Sequence, residues 1–121
     1  MTTYTPETLR RLEHYYSLRP GLYDFGPRTQ EGWVYYISSG RFVKIGSALN
    51  PLTRIRILQN GSALPLSLLL IEPDFKGRTQ ERVRHRQFRP FRKHGEWFGY
   101  EGRLQTFIEE GMSRTRSILG Y

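Results

Sequence analysis

The sequence predicts an α+β domain in which helices flank a small sheet of three strands. Two short apolar runs, 34–37 and 43–46, are joined by a Ser-Ser-Gly turn, which is typical of a β-hairpin. A third apolar run, 64–72, is continuous and suits a strand that is covered on both faces. Helical spacing of apolar residues elsewhere predicts four helices, the first of them N-terminal to the sheet.

The register of the hairpin follows if its turn is centred on Ser39-Gly40. Tyr35 then lies opposite Lys44, and directly opposed side chains share one face of a sheet with Cβ atoms roughly 5 Å apart. The other face of the hairpin is apolar and carries Val34, Tyr36, Val43 and Ile45. We therefore expect a phenol beside an ammonium at the centre of a phosphate-handling site.

Helix-start signals divide the rest of the chain. A capping threonine followed by proline at Thr5-Pro6 begins the first helix, which stops before Arg19-Pro20-Gly21. Asn50-Pro51 repeats the signal for a second helix, and further helices are predicted over 78–89 and from about Gly102 to Met112.

Three segments follow from these boundaries. Residues 1–31 form an N-terminal helix and an ordered linker, residues 32–113 form the main domain, and residues 114–121 form a loosely held tail. The chain has no cysteine and no apolar run long enough to span a bilayer, and its first residues lack a signal-peptide pattern. We expect a cytoplasmic protein without a membrane partner.

The charge of the chain favours a polyanionic partner. Lysine and arginine number 19 against 11 acidic residues, for a net charge of +8, and 16 of the 19 are arginine. Arginine is the residue suited to bidentate phosphate contacts, so a nucleic acid is the leading partner. A basic ribosome-associated or membrane-surface protein remains an alternative on composition alone.

The predicted third helix concentrates this charge and has few acidic residues to balance it. Its exposed arginines would repel one another unless a polyanion neutralised them, which favours binding over a merely solvated face. The candidate nucleic-acid contacts are Arg56 on the second helix and Arg82, Arg84, Arg86 and Arg89 on the third. Such contacts bind phosphates without reading base sequence.

Two further candidates come from position. Glu81 is the lone carboxylate of the third helix, and His85, four residues on, shares its face. Glu81 is either an ion-pair partner of arginine or a ligand for Mg²⁺, and spacing leaves both open. Arg54 lies near the start of the second helix, where anions are attracted, and is either a solvated arginine or a phosphate ligand.

Taken in order, the motifs have a familiar arrangement. They are Val34-Tyr35-Tyr36-Ile37, Val43-Lys44-Ile45-Gly46-Ser47, Asn50-Pro51 with Arg54, Leu58-Gln59-Asn60-Gly61, Glu81 with His85 and Phe88, and Gly95-Glu96-Trp97-Phe98. This series resembles the GIY-YIG nuclease superfamily, in particular a branch common in phages and bacteria. The resemblance covers roughly residues 32–99; each motif alone is weak, and their shared order is what carries it.

The resemblance implies a three-stranded antiparallel sheet flanked by helices, one divalent metal (Mg²⁺ or Mn²⁺) and hydrolysis of DNA phosphodiester bonds in a bacterial cell. By matching positions, Tyr35 corresponds to the first-motif tyrosine, Arg54 to the helix arginine and Glu81 to the metal-binding glutamate. The chain departs from the pattern where Lys44 replaces the second-motif tyrosine and Trp33 replaces the first-motif glycine.

These assignments predict a mechanism. Mg²⁺ on Glu81 stabilises the leaving oxygen, and Arg54 holds a non-bridging oxygen. Tyr35, its pKa lowered by Lys44 and the metal, orients or deprotonates water. His85 assists as a base or a supporting group, or is a surface histidine in an ion pair. Lys44 either acts as a base or stays charged and holds the phosphate.

Three functions therefore stand as hypotheses. The first is a DNA endonuclease, and the second is a catalytically inactive nucleic-acid-binding domain with Lys44 and Arg54 as phosphate contacts. The third is a phage or assembly protein whose basic face meets an acidic partner. Glu96 is predicted to be structural and to pair with an arginine, with Trp97 and Phe98 in the core. Target selection by a small core calls for the first helix, a protein partner or a dimer.

Overall fold

A computed structural model describes residues 4–18 and 30–120. In chain order the elements are α1 (Pro6–Ser17), β1 (Gln30–Ser39), β2 (Phe42–Ala48), α2 (Pro51–Asn60), β3 (Ser67–Phe75), α3 (Thr79–Gln87), a short 3₁₀ turn (Arg89–Phe91), β4 (Arg92–His94), β5 (Trp97–Gly99) and α4 (Gly102–Leu119). The strands form one antiparallel sheet in the order β3-β1-β2-β5-β4. The predicted α+β class and N-terminal helix are confirmed, but the sheet has five strands, and the prediction of three is wrong.

The two additional strands are three residues each and escape the sequence pattern for that reason. They form a hairpin around Gly95, which has the positive φ of 58° that glycine accommodates. β4 is fully exposed, and a run this short has no room to show apolar alternation. β5 pairs with β2 and places Trp97 opposite Lys44. Because β5 pairs with β2, Glu96 in the turn of the hairpin lies beside β2.

The β1–β2 register differs by two residues from the sequence prediction. Tyr35 pairs with Gly46 and Lys44 pairs with Ile37, so the predicted opposition of Tyr35 and Lys44 is wrong. The turn is centred on Gly40 and Arg41 because Gly40, at φ 60°, takes the first central position of a tight hairpin turn. A shift of two residues leaves each side chain on its original face, so Tyr35 and Lys44 still share one.

Both faces of the sheet are covered. The face predicted to be apolar packs against α3 and α4, in a core made of Val34, Tyr36, Val43, Ile45, Leu70, Phe88, Phe98, Leu104 and Ile108. The other face carries Tyr35, which packs in a second cluster with Leu12 of α1 and Leu119 of α4. Tyr35 is 1% exposed. The phenol ring is therefore packed within this cluster, with its hydroxyl lying across Gly46.

The two terminal helices close this second cluster. α1 begins at a capping box in which Thr5 and Thr8 exchange side-chain and backbone hydrogen bonds, as its start signal predicts. α4 continues to Leu119, so most of the predicted tail is helical, with Thr115 and Leu119 buried. The predicted linker lies largely outside the described residues. No helix in the described parts of the chain is long and apolar enough to cross a membrane.

Gly46→Ala should destabilise the protein, because a Cβ at this position would overlap the Tyr35 phenol that lies across it. We expect a loss of about 1–3 kcal/mol in the free energy of unfolding, typical of overpacking, measured by urea denaturation. Gly61→Ala is the matched control, since its Cβ would meet nothing closer than 3.8 Å. Equal stability of Gly46→Ala and wild type would contradict this close packing.

Candidate active site

Three side chains that can bind a cation meet beside β2, the central strand of the sheet. Glu81 and His85 come from α3, and Glu96 comes from the β4–β5 turn. Each offers one ligand atom, and these atoms lie within 4.8 Å of one another. Glu81 is 6% exposed, whereas His85 and Glu96 are half-buried. The cluster thus joins a buried carboxylate to two groups that solvent can reach.

The position of Glu81 depends on Asp74, a fully buried carboxylate near the end of β3. Asp74 Oδ1 accepts hydrogen bonds from the backbone N–H of Phe75 (2.8 Å) and of Gln80 (2.9 Å). Its Oδ2 accepts from the Ser47 hydroxyl of β2 at 2.8 Å. Asp74 therefore satisfies a donor at the start of α3, where no side chain at the cap position does so, and ties that helix to two strands.

His85 is oriented by the backbone of β2. Its Nε2 lies 2.8 Å from the carbonyl oxygen of Ile45 and 3.6 Å from Glu81 Oε1. A carbonyl oxygen can only accept a hydrogen bond. Nε2 therefore carries the proton and donates the hydrogen bond to the Ile45 oxygen. That nitrogen is then unavailable to a metal, and His85 serves in this arrangement to hold the site rather than to ligate.

Glu96 has a different role from the one predicted. It pairs with Lys44, whose Nζ lies 3.6 Å from Glu96 Oε1, and its carboxylate adjoins that of Glu81. The predicted pairing of Glu96 with an arginine is therefore wrong. One sequence feature could have identified Glu96: it is a second isolated carboxylate in a strongly basic segment, fifteen positions after Glu81. Its meeting with Glu81 depends on a pairing of strands too short to predict.

The Glu96 carboxylate affects the protonation of Glu81. Burial, hydrogen bonding to Glu96 and the negative charge of Glu96 together raise the pKa of Glu81 from 4.5 to about 7, against the lowering effect of Arg78. Glu81 Oε2 is buried and has no hydrogen-bond partner. A buried carboxylate oxygen without a donor, next to a second carboxylate, fits a hard divalent cation, which takes oxygen ligands. Glu81 and Glu96 are thus the residues that would hold Mg²⁺ or Mn²⁺.

Tyr35 meets this cluster from the sheet. Burial raises the pKa of its phenol, and the negative charges of Glu96 and Glu81 raise it further. Arg54 lowers the pKa through its charge and a side-chain hydrogen bond, without reversing the direction. This raised pKa belongs to the protein without a metal, and the predicted lowering by Lys44 and a bound metal stays a prediction. Tyr35 stays protonated at neutral pH, so it can donate a hydrogen bond but is a poor base.

Arg54 and Arg78 line one polar groove of about 290 Å³, whose lining also includes Glu31. Arg78 lies close enough to Glu81 for its charge to lower the Glu81 pKa. Arg54 is exposed on α2, where the Asn50 side chain already accepts from the first free N–H groups. Arg78 precedes α3 and adopts a left-handed conformation (φ 55°, ψ 43°), which is rare for residues other than glycine. No sequence pattern distinguishes Arg78, since only the turn reveals where it lies. The groove therefore offers two guanidinium groups to an anion.

Arg84 does not belong with the predicted phosphate contacts. Its guanidinium forms a two-point ion pair with buried Glu72, at 2.7 and 3.1 Å, and lies 4.5 Å from the Phe107 ring centroid. Tyr36 also donates to Glu72 at 3.1 Å. Arg84 is thus part of the core packing, and its guanidinium is used within the fold and not for a nucleic-acid contact. The other four predicted arginines are exposed, namely Arg56, Arg82, Arg86 and Arg89.

Comparisons with protein-family models, with curated proteins and with solved structures found no match. The function is therefore argued from the geometry of the site.

The two neighbouring arginines of α3 should respond differently to truncation. Arg84→Ala leaves Glu72 buried without its partner, and we expect a loss of about 3 kcal/mol in the free energy of unfolding. Arg86→Ala removes an exposed charge and should change stability by less than about 0.5 kcal/mol. Urea denaturation of both variants checks this, and equal effects would contradict a structural role for Arg84.

The raised pKa of Glu81 predicts how stability depends on pH in metal-free protein. The folded state binds this proton more tightly than the unfolded chain, so the stabilisation is full below pH 4.5 and is lost as the pH rises through about 7. Glu81→Gln cannot ionise and should lose less stability across this window. Urea midpoints in EDTA at about pH 5 and about pH 8 test the difference; parallel behaviour of the two proteins would refute it.

Proposed function

We propose that the protein is a metal-dependent endonuclease of the GIY-YIG type that hydrolyses phosphodiester bonds in DNA. The observation that supports it best is the buried Glu81 carboxylate, which has one oxygen without a partner and lies beside Glu96. Tyr35 and Arg54 adjoin the same cluster, and the chain carries a net charge of +8. A negative site for a cation within a positive protein suits a phosphate substrate.

The groove beside the cluster supplies charge for the phosphate. Arg54 and Arg78 contact non-bridging oxygens, where negative charge develops during hydrolysis. The protonated phenol of Tyr35 donates a hydrogen bond to a phosphate oxygen or to the attacking water. These three groups bind and align the substrate, which is a large part of catalysis for a reaction of this kind.

Proton transfer falls to the carboxylates. Tyr35 is protonated, so we assign Glu96, a half-exposed carboxylate beside it, as the acceptor of the proton from water. Lys44 balances the charge of Glu96, and His85 positions Glu81 through the β2 backbone. When bound by Glu81 and Glu96, Mg²⁺ or Mn²⁺ supplies Lewis-acid stabilisation of the leaving oxygen.

A catalytically inactive nucleic-acid-binding domain is the second candidate. It is favoured by the Lys44–Glu96 ion pair and by the raised pKa of Tyr35, since both reduce the basicity available for activating water. In that function Lys44, Arg54 and Arg78 contact phosphates, and the carboxylate cluster is structural.

Glu81→Gln should lower the rate of Mg²⁺-dependent plasmid nicking about a hundredfold or more, because it removes a charged cation ligand worth several kcal/mol. DNA affinity in EDTA should stay within about twofold of wild type, since Glu81 is buried. The matched control is Glu13→Gln, which removes an exposed carboxylate of α1. Gel electrophoresis of supercoiled plasmid measures nicking, and fluorescence anisotropy measures affinity.

Each alternative has its own result in this assay. Nicking by Glu81→Gln at the wild-type rate overturns the metal assignment. Binding that weakens with salt, without nicking in Mg²⁺ or Mn²⁺, supports the inactive binding domain. An affinity for DNA that does not respond to salt contradicts phosphate binding and favours an acidic protein partner.

A further inference from the structure

A second groove opens near the turn of the β1–β2 hairpin. Its volume is about 300 Å³, and its lining residues are Ser39, Phe42, Leu64, Lys93, His94 and Trp97. Phe42 is 43% exposed and Leu64 is 55% exposed, so a large apolar surface meets solvent here. Exposed apolar surface of this kind marks a binding site more often than an isolated exposed side chain does.

This groove lies on the same face of the sheet as Tyr35. Phe42 and Lys44 are two residues apart in β2, so their side chains share a face, and Trp97 pairs directly with Lys44. Lys44 Nζ lies 5.6 Å from the Trp97 ring centroid and 3.6 Å from Glu96 Oε1. The groove and the carboxylate cluster are therefore connected through Lys44.

The lining of the groove suits one chemistry. Phe42 and Trp97 offer aromatic surfaces, and the surface of the groove is almost entirely apolar. The neighbouring cation is Lys44, whose Nζ lies over the Trp97 ring, and no acidic side chain lines the groove among the described residues. Aromatic surface next to cationic side chains is how proteins bind unpaired nucleotides, with the base stacked and its phosphate neutralised. An acidic or purely apolar protein segment would use only one of these two features.

We propose that this groove binds an unpaired nucleobase of a DNA strand whose backbone runs through Lys44 to the Glu81–Glu96 cluster. The inference rests on the proposed function and narrows its substrate to DNA with unpaired nucleotides near the bond that is cut. Phe42 and Trp97 stack on the base, and Lys44 contacts its phosphate. Duplex DNA, whose bases are stacked on one another, lacks this interaction.

Tryptophan fluorescence tests the proposal on the full chain in EDTA, where no cleavage occurs. The chain has two tryptophans, and Trp33 is buried, so Trp97 reports on the groove. Three probes of equal length are titrated: a single strand, the same strand with a run of abasic sites, and a duplex. We expect the single strand to quench the emission of wild type, and the quenching to disappear in Trp97→Phe.

Phe42→Ala supplies the affinity test. Loss of one stacking surface should weaken single-strand binding about tenfold and change duplex or abasic-strand binding less than about twofold. Ile57→Ala is the control, because Ile57 is exposed on α2 and does not line the groove. It should bind all three probes as wild type does.

The contrary results are separable from failure of the proposed function. Binding of the single strand without quenching, or with unchanged affinity in Phe42→Ala, overturns the base-binding groove. The nuclease proposal stands in that case if plasmid nicking still depends on Glu81. Absence of binding to all three probes at low salt overturns both proposals.

Discussion

The hydrogen bonds of the buried Asp74 carboxylate are the constraint on which the site depends. They join the end of β3, the hydroxyl of Ser47 on β2 and the first turn of α3. A charged carboxylate can be buried at low cost when N–H and O–H donors surround it, which is the case for Asp74. Because the start of α3 is fixed in this way, Glu81 lies beside β2.

Among the described residues, three carboxylates are buried, namely Glu72, Asp74 and Glu81. They differ in whether hydrogen-bond donors satisfy them. Asp74 is satisfied by three donors, and Glu72 is satisfied by Arg84, Tyr36 and Gln80. Glu81 is buried to the same degree but retains an oxygen without a partner and a raised pKa. Perturbed protonation without compensating donors is typical of functional groups, and this contrast distinguishes Glu81 from the other two.

The arginines differ in the same way, since one is used within the fold and others line a groove. Arg84 of α3 forms an ion pair with Glu72, so its charge is used within the fold. Arg78 lies ahead of that helix in a left-handed turn and shares a groove with Arg54. Composition identifies a basic protein, whereas the geometry of the turn and helix decides which of its arginines faces an anion.

The sequence by itself determined the long elements, the basic charge and the shared face of Tyr35 and Lys44. Helix caps and the period of two along a strand are local properties, and a register error of two residues leaves faces intact. Only the tertiary structure decided that Tyr35 pairs with Gly46, that Glu96 meets Glu81, and that the phenol has a raised pKa. These features depend on contacts between residues distant in the chain and on the burial of Tyr35 within the second cluster, which local patterns do not encode.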